Sequence, residues 1–174
     1  MVQMLTTYHS PLGALTLASN GEALIGLWLA KQKYFTETLD QQTVMNHDLP
    51  IFHQTKRWLA QYFDGQAPDI GELKLSPDGS EFRRCVWQIL SEIPYGKVVT
   101  YGAVAKQVAY LMGRPSMSSQ AVGGAIAHNP ISIIIPCHRV ISADSKLTGY
   151  AGGLKNKAYL LELEGADLTR LYPF

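Results

Sequence analysis

Ten residues organise the second half of this chain: Ile131-Ser132-Ile133-Ile134-Ile135-Pro136-Cys137-His138-Arg139-Val140. The β-branched, strongly apolar isoleucines predict a buried segment. Pro136 lacks a backbone N–H and ends regular strand pairing. Cys137 is therefore expected where a buried segment emerges into a turn. Such a position holds a nucleophile rigidly from behind and leaves it open in front.

The Cys137-His138 pair has two interpretations. A thiolate, not a thiol, attacks carbon electrophiles, and a free cysteine with a pKa of about 8.5 is little ionised at neutral pH. An imidazole takes the thiol proton directly or through one water, and a carboxylate on its far nitrogen would fix its tautomer. Alternatively, Cys137 is a small buried hydrophobe and His138 a polar neighbour with satisfied hydrogen bonds. The residues alone leave both interpretations open.

Two short helices are predicted before this stretch. Thr100 caps a helix that begins near Tyr101, and Gly113-Arg114-Pro115 ends that helix. A second helix starts at Ser118 and ends before Asn129-Pro130. The pair fits a helix-turn-helix with a connection slightly longer than usual, and two ordinary core helices fit the same pattern.

A linker is predicted at Ser76-Pro77-Asp78-Gly79-Ser80, ahead of another amphipathic helix. Asp78 with Glu81 resembles a capping box that has Asp in place of Ser or Thr. Cys85 lies on the apolar face of this helix, so we expect it to be an inert core residue.

In the first 75 residues the spacing of apolar residues changes once, from the alternation typical of strands to the spacing typical of a helix. Leu15 and Leu17 alternate with small or polar residues, and Asn20-Gly21 is a hairpin turn signal. The alternation continues afterwards, which predicts two paired strands. A helical stripe then replaces it. The members of that stripe are Thr55, Trp58, Leu59, Tyr62 and Phe63.

Composition excludes several classes of protein. The 174 residues carry a formal net charge of +1, which excludes a strongly basic, polyanion-coating protein. Two cysteines make no disulfide scaffold and lack the paired short spacings of a structural zinc site. No apolar run reaches membrane-spanning length and no signal sequence opens the chain. We therefore expect a cytoplasmic protein.

Several segments resemble the O6-alkylguanine-DNA alkyltransferase family, in order and spacing from about Phe82 to Gly165. The active-site signature of that family is similar to Pro136-Cys137-His138-Arg139-Val140. The opening Tyr8-His9-Ser10-Pro11-Leu12-Gly13 is also similar to the family's N-terminal domain. The remaining matching segments are PYGKVVTYG at 94–102, AVGGA at 121–125 with Asn129-Pro130, TGYAGG at 148–153 and LLELEG at 160–165.

The resemblance implies a chemistry and roles for five residues. An alkyl group moves from O6 of guanine, or less readily O4 of thymine, in DNA to Cys137. The thioether product is permanent, so each protein molecule acts once. His138 is then the water-mediated base, with Glu164 as its orienting carboxylate. Asn129 holds the turn, and Tyr101 donates a proton to guanine N3.

The resemblance also implies that the damaged nucleotide is flipped out of the duplex while the second helix of the helix-turn-helix enters the minor groove. Glycines such as Gly123-Gly124 are costly inside a helix, so either close approach to DNA or tight helix packing explains them. The family usually has arginine where this chain has Gln120, so we expect working repair with a weaker hold on DNA. The DNA-binding residues implied are Gln120, Arg114, Ala121 and Gly124. Those implied for the flipped base are Tyr150, Val140, Ala151 and Gly152.

The predicted architecture is α/β with two domains. Residues 1–78 form a small N-terminal α/β domain, ribonuclease-H-like by resemblance, and residues 79–174 form a mainly helical winged-helix/helix-turn-helix domain. The expected partner is double-stranded DNA containing O6-alkylguanine. No cofactor, metal, membrane or obligate protein partner is expected. Two alternatives are an alkyltransferase-like module that binds lesions without repairing them, and a Cys-His hydrolase.

Overall fold

The computed structural model describes residues 2–144, 147 and 149–168. The chain divides into two compact units: Met1–Asp78 with Pro130–Ser132, and Gly79–Asn129 with Ile133–Phe174. The first unit is built on a mixed sheet and the second is mainly helical, as predicted. Within the described residues, every helix is too short or too polar to cross a bilayer.

A four-stranded sheet forms the first unit. Its strands are β1 (Gln3–Ser10), β2 (Gly13–Ser19), β3 (Leu24–Leu29) and β4 (Thr43–Met45), in the order β3-β2-β1-β4. The β2–β3 hairpin predicted from alternation is confirmed, with Leu17 opposite Leu27. β1 was not predicted because Thr6 is its single buried residue, so its sequence carries no apolar alternation.

The predicted helical stripe lies on α1 (Pro50–Phe63), where Thr55, Trp58, Leu59 and Tyr62 are buried. Pro130–Ser132 also joins the first unit, far along the chain from its other residues. The Leu27 N–H donates to the Pro130 carbonyl at 2.8 Å, and the Ser132 N–H donates to the Leu27 carbonyl at 3.0 Å.

The second unit begins with α2 (Glu81–Ser91). The capping box predicted at Asp78 is wrong, because the N-cap of α2 is Ser80, whose side chain accepts a hydrogen bond from the Arg83 N–H. Asp78 lies two residues before the N-cap and is too early for that geometry.

Two further helices occupy the predicted helix-turn-helix, α3 (Tyr101–Leu111) and α4 (Ser119–Ala127). Thr100 caps α3 by accepting from the Ala103 N–H, and Ser118 caps α4, so both predicted starts are confirmed. The unit is completed by the short parallel strands β5 (Val99–Thr100) and β6 (Val140–Ile141), and by α5 (Leu154–Leu163).

Candidate active site

Cys137 opens a single 3-10 turn, Cys137–Arg139, immediately before β6. Its N–H donates to the Ile135 carbonyl at 2.8 Å, and its own carbonyl accepts from the Val140 N–H. The Asn129 side-chain amide donates to the same Ile135 carbonyl at 2.8 Å. The backbone on both sides of the sulfur is therefore fixed by hydrogen bonds.

The isoleucine run is buried, as predicted, but it forms turns instead of a strand. Ile131 makes one isolated bridge, and Ile133 adopts a φ of 71°. That left-handed conformation is rare for a β-branched residue and costs about 1–3 kcal/mol. The side chain of Ile133 is completely buried, so packing holds the strained backbone in place.

The expectation that Cys137 is open in front is wrong, because the residue is only 4% exposed. Burial raises the pKa of the Cys137 thiol, since a thiolate is poorly solvated there. A hydrogen bond from Asn129, the charge of Lys157 and local backbone hydrogen bonds act in the opposite direction and lower that pKa. The resting site thus disfavours the thiolate by desolvation and favours it by specific polar groups.

His138 and Glu164 form a completely buried pair. The imidazole Nε2 lies 2.7 Å from Glu164 Oε1. Hydrogen bonds from His138 and Arg139, together with the positive charge of Arg139, hold the pKa of the Glu164 carboxyl well below its usual range despite its burial. An ionised carboxylate only accepts hydrogen bonds, so Nε2 carries the proton and donates it.

The other imidazole nitrogen, Nδ1 of His138, is buried and has no hydrogen-bond partner among the described residues. Burial lowers the pKa of His138, so the ring is neutral at neutral pH and Nδ1 holds a free lone pair. A buried, unprotonated ring nitrogen one residue from a thiol is a base available to accept the proton of that thiol.

Arg139 takes part in the same network, a role that the sequence analysis did not assign. Its Nε and Nη2 donate to the two oxygens of Glu164 at 2.8 and 2.9 Å. Its Nη1 donates to the Ile93 carbonyl at 2.6 Å, and its guanidinium lies over the Tyr95 ring. This bidentate interaction fixes the Glu164 carboxylate rigidly and neutralises its charge.

Gly96 and Gly149 both lie in segments that resemble the family, and no other residue fits at either position. Gly96 has a φ of 76°, and a Cβ there would lie 2.7 Å from the Glu164 carbonyl oxygen. Gly149 has a φ of 67°, and a Cβ there would lie 2.9 Å from the Tyr101 hydroxyl. Any side chain at either position would both strain the backbone and displace a proposed site residue.

Two tyrosines are affected electrostatically by Cys137, whose charge adds to burial in raising their pKa values. Tyr101, the first residue of α3, donates its hydroxyl to the Gly149 carbonyl at 3.3 Å, and burial raises its pKa to about 12. Tyr150 is buried, its pKa is raised well above the usual value, and its hydroxyl lacks a partner within the described part of the chain. Both phenols are therefore protonated donors at neutral pH.

Lys157 on α5 is the second residue that the sequence analysis missed. It is completely buried, and its Nζ donates to the Val140 carbonyl at 2.6 Å. A signal was present, since Lys157, Leu160, Leu161 and Glu164 follow helical spacing and all face inward.

The predicted DNA-binding residues lie on the surface, apart from the buried network. Gln120, Ala121 and Gly124 are exposed on α4, and Arg114 is exposed in the turn before it. A Cβ on Gly124 would meet no atom within 4 Å. Helix packing therefore does not explain Gly124.

The remaining residues predicted for the flipped base differ in exposure. Val140 is buried, with its carbonyl bonded to Lys157. Ala151 and Gly152 are half-buried in the segment that precedes α5, where the Gly152 carbonyl accepts from Asn156 Nδ2 at 2.8 Å. Thr148 lies outside the described residues.

Comparison with known proteins identifies relatives of both units. Residues 4–77 match the family described as 6-O-methylguanine DNA methyltransferase, ribonuclease-like domain, and residues 81–166 match the corresponding DNA binding domain. A methylated-DNA–protein-cysteine methyltransferase of Methanosarcina acetivorans is 45% identical, over 91% of this chain and 96% of its own. That of Haemophilus influenzae is 38% identical, over 91% and 84%.

Solved structures give the same result. The crystal structure of Mycobacterium tuberculosis OGT in complex with DNA is 37% identical, covers 98% of this chain and 95% of its own, and has a TM-score of 0.80. The Mycobacterium tuberculosis O6-methylguanine methyltransferase is 40% identical, over 96% and 98%, with a TM-score of 0.77.

Proposed function

This chain belongs to the 6-O-methylguanine DNA methyltransferase family, which repairs DNA directly by alkyl transfer to a cysteine, and we propose that Cys137 is that cysteine. One observation carries the proposal. His138 keeps an unprotonated, unpartnered Nδ1 next in sequence to Cys137, while its Nε2 is held by the ionised Glu164. That arrangement is a base and its orienting group.

The first step is removal of the thiol proton. The Cys137 thiol gives its proton to Nδ1 of His138, through one bridging water as in the family it resembles. Glu164 stabilises the imidazolium that forms, because its carboxylate accepts from Nε2 at 2.7 Å. Asn129 fixes the turn and favours the thiolate by its hydrogen bond.

The second step exchanges one bond for another. The sulfur of Cys137 bonds to the alkyl carbon, the bond from that carbon to guanine O6 breaks, and its electron pair stays on the guanine. Tyr101 protonates the leaving guanine at N3. Its raised pKa of about 12 keeps it protonated until the base is in place. The proton held by His138 then returns through solvent to the tyrosinate. The guanine exchanges its N3 proton with solvent for one on N1, which leaves a neutral thioether and an unmodified guanine.

DNA binding is assigned to the exposed face of α4. Gln120, Ala121 and Gly124 lie on it, and the small side chains allow a helix to approach a minor groove closely. Gln120 fills the space of the flipped base without a charge, and Arg114 contacts the phosphate backbone. Tyr150 stacks on the flipped base, whose edge is bound by backbone groups of the residues Val140, Ala151 and Gly152.

The substrate is thus double-stranded DNA that contains O6-alkylguanine, with O4-alkylthymine a poorer substrate. The proposal includes a cytoplasmic location, in keeping with relatives from bacteria and archaea such as Mycobacterium tuberculosis and Methanosarcina acetivorans. A lesion-binding module without transfer is disfavoured by Cys137 itself. A Cys-His hydrolase would need an oxyanion hole and turnover, and neither the helix-turn-helix nor the family gives a reason for either.

The test is mass spectrometry of the protein after incubation with duplex DNA that contains O6-methylguanine. We expect a gain of one methyl group on the peptide that contains Cys137, with restoration of guanine. Cys137→Ser should abolish the transfer, whereas Cys85→Ser, which alters the other cysteine, should retain it. Binding without a mass gain would support the lesion-binding module, and multiple turnovers would support the hydrolase.

A further inference from the structure

A completely buried lysine needs a physical reason, because an ammonium group in a protein interior has lost its hydration. Lys157 is 0% exposed, yet its Nζ donates to the Val140 carbonyl at 2.6 Å. A hydrogen bond to a neutral carbonyl compensates for only part of the solvation that a full charge loses on burial. The position of Lys157 therefore favours a second role for its charge.

The groups that act on Cys137 differ in their charges. Asn129, Tyr101 and Tyr150 influence the sulfur or are influenced by it, but each is neutral at neutral pH. His138 is also neutral in the resting site, because burial lowers its pKa. Among the described residues that act on Cys137, Lys157 supplies the positive charge.

The coupling acts in both directions. Lys157 lowers the pKa of the Cys137 thiol, and the thiolate raises the pKa of Lys157 in return. Burial brings the pKa of Lys157 down to about 8, so the ammonium form is present at neutral pH but is easily lost. Burial, Arg139 and Lys157 all lower the pKa of His138, whereas Glu164 raises it.

Backbone hydrogen bonds also link Lys157 to the turn that carries Cys137. Val140, the residue that Lys157 bonds, donates its N–H to the Cys137 carbonyl and pairs with Val99 in β5–β6. The ammonium group thus bonds to the residue that ends the turn carrying Cys137, and it interacts electrostatically with the Cys137 sulfur.

We propose that Lys157 is a positioning residue for the alkyl transfer, whose buried ammonium group favours the Cys137 thiolate and fixes the carbonyl of Val140. The assignment rests on the proposed function of Cys137 as the acceptor. It adds a fixed positive charge to the proton transfer described above: His138 receives the proton, and Lys157 stabilises the anion that remains. No covalent step involves Lys157.

The experiment measures the Cys137 thiol without DNA, in a Cys85→Ser background. The pH dependence of alkylation by iodoacetamide gives the thiol pKa. Lys157→Met keeps the apolar stem and removes the charge, so we expect the pKa to rise by about one unit, with about tenfold less thiolate near neutral pH. Lys157→Arg should retain most of the reactivity, and Lys155→Met, which changes an exposed lysine of the same helix, should change nothing.

A second measurement covers the case in which Lys157→Met does not fold. In the otherwise unaltered protein, the pKa of Lys157 is followed by NMR of its side chain, with and without Cys137→Ser. Because coupling is reciprocal, loss of the thiolate should lower the pKa of Lys157.

An unchanged thiol pKa in folded Lys157→Met, or an unchanged Lys157 pKa in Cys137→Ser, would overturn the proposal. Both readouts are independent of DNA. If the parent protein gains no methyl group while the thiol still shifts with Lys157→Met, the proposed function fails and the charge coupling stands.

Discussion

Glu164 Oε1 lies 2.7 Å from Nε2 of His138, while the opposite nitrogen of the same ring has no partner among the described residues. The pairing orders the ring: the end bound to the carboxylate carries the hydrogen, and the other end is basic. Arg139 closes the network from the far side of Glu164 and keeps its carboxylate ionised. The buried site is therefore prepared to accept a proton before DNA binds.

Glu164→Gln removes the charge that orders the imidazole. We expect methyl transfer in single-turnover assays to slow by about 10- to 100-fold, because an amide no longer fixes the tautomer or stabilises the imidazolium. The variant also leaves the charge of Arg139 buried without its partner, which costs about 3–5 kcal/mol of stability. Glu162→Gln, on the exposed side of the same helix, is the control. An unchanged transfer rate in Glu164→Gln would remove Glu164 from the mechanism.

The same carboxylate should make the folded protein sensitive to acid. In the unfolded chain Glu164 titrates at about pH 4.3, whereas in the folded protein its pKa is well below the usual range. Between those values the unfolded chain binds more protons, so the free energy of unfolding falls as the pH falls. His138, whose pKa is lowered in the folded protein, adds a loss of unfolding free energy that begins at about pH 6.5.

Urea denaturation of the parent and of Glu164→Gln, repeated between about pH 7 and pH 3, measures the effect of Glu164 on this acid sensitivity. The stability difference between the two proteins should shrink as the pH falls, because the parent loses the benefit of the ionised carboxylate. A difference that stays constant with pH would mean that Glu164 titrates normally in the folded protein.

Gly124→Ala tests why α4 contains the pair Gly123-Gly124: close approach to DNA or tight packing of helices. A Cβ at this exposed position meets no atom within 4 Å, so replacing a helical glycine should stabilise the fold by about 0.5–1 kcal/mol. If α4 approaches the minor groove closely, the same methyl group should weaken binding to duplex DNA. Gln88→Ala, on the exposed side of α2, should not affect DNA binding. Stabilisation with unchanged DNA affinity would exclude Gly124 from the interface.

Gln120→Arg tests the departure of this chain from the usual pattern of its family. The exposed N-terminal turn of α4 accommodates arginine, and the added charge should tighten binding to damaged duplex DNA and speed repair. Gln107→Arg adds the same charge on α3 and controls for a general electrostatic effect. Unchanged affinity and rate in Gln120→Arg would show that Gln120 is not the residue that fills the gap left by the flipped base.

Local structure was predictable where local chemistry determines it. Thr100 and Ser118 start their helices because their side chains satisfy free backbone N–H groups, and the β2–β3 hairpin follows from alternation and the Asn20-Gly21 turn. The sequence of β1 lacks these signals, and its strand exists because β2 and β4 pair with it on either side.

The sequence by itself determined which residue types are available to this site: a cysteine and a histidine after a buried apolar run, and a glutamate in the segment LLELEG at 160–165. Only the tertiary structure decided their electrostatics. Arg139 and Lys157 are ordinary cations in the sequence, but burial removes their solvent and directs one onto Glu164 and the other onto Val140 beside Cys137. The energy of interaction between two charges depends on the surrounding medium and on their distance, and no short stretch of residues encodes either.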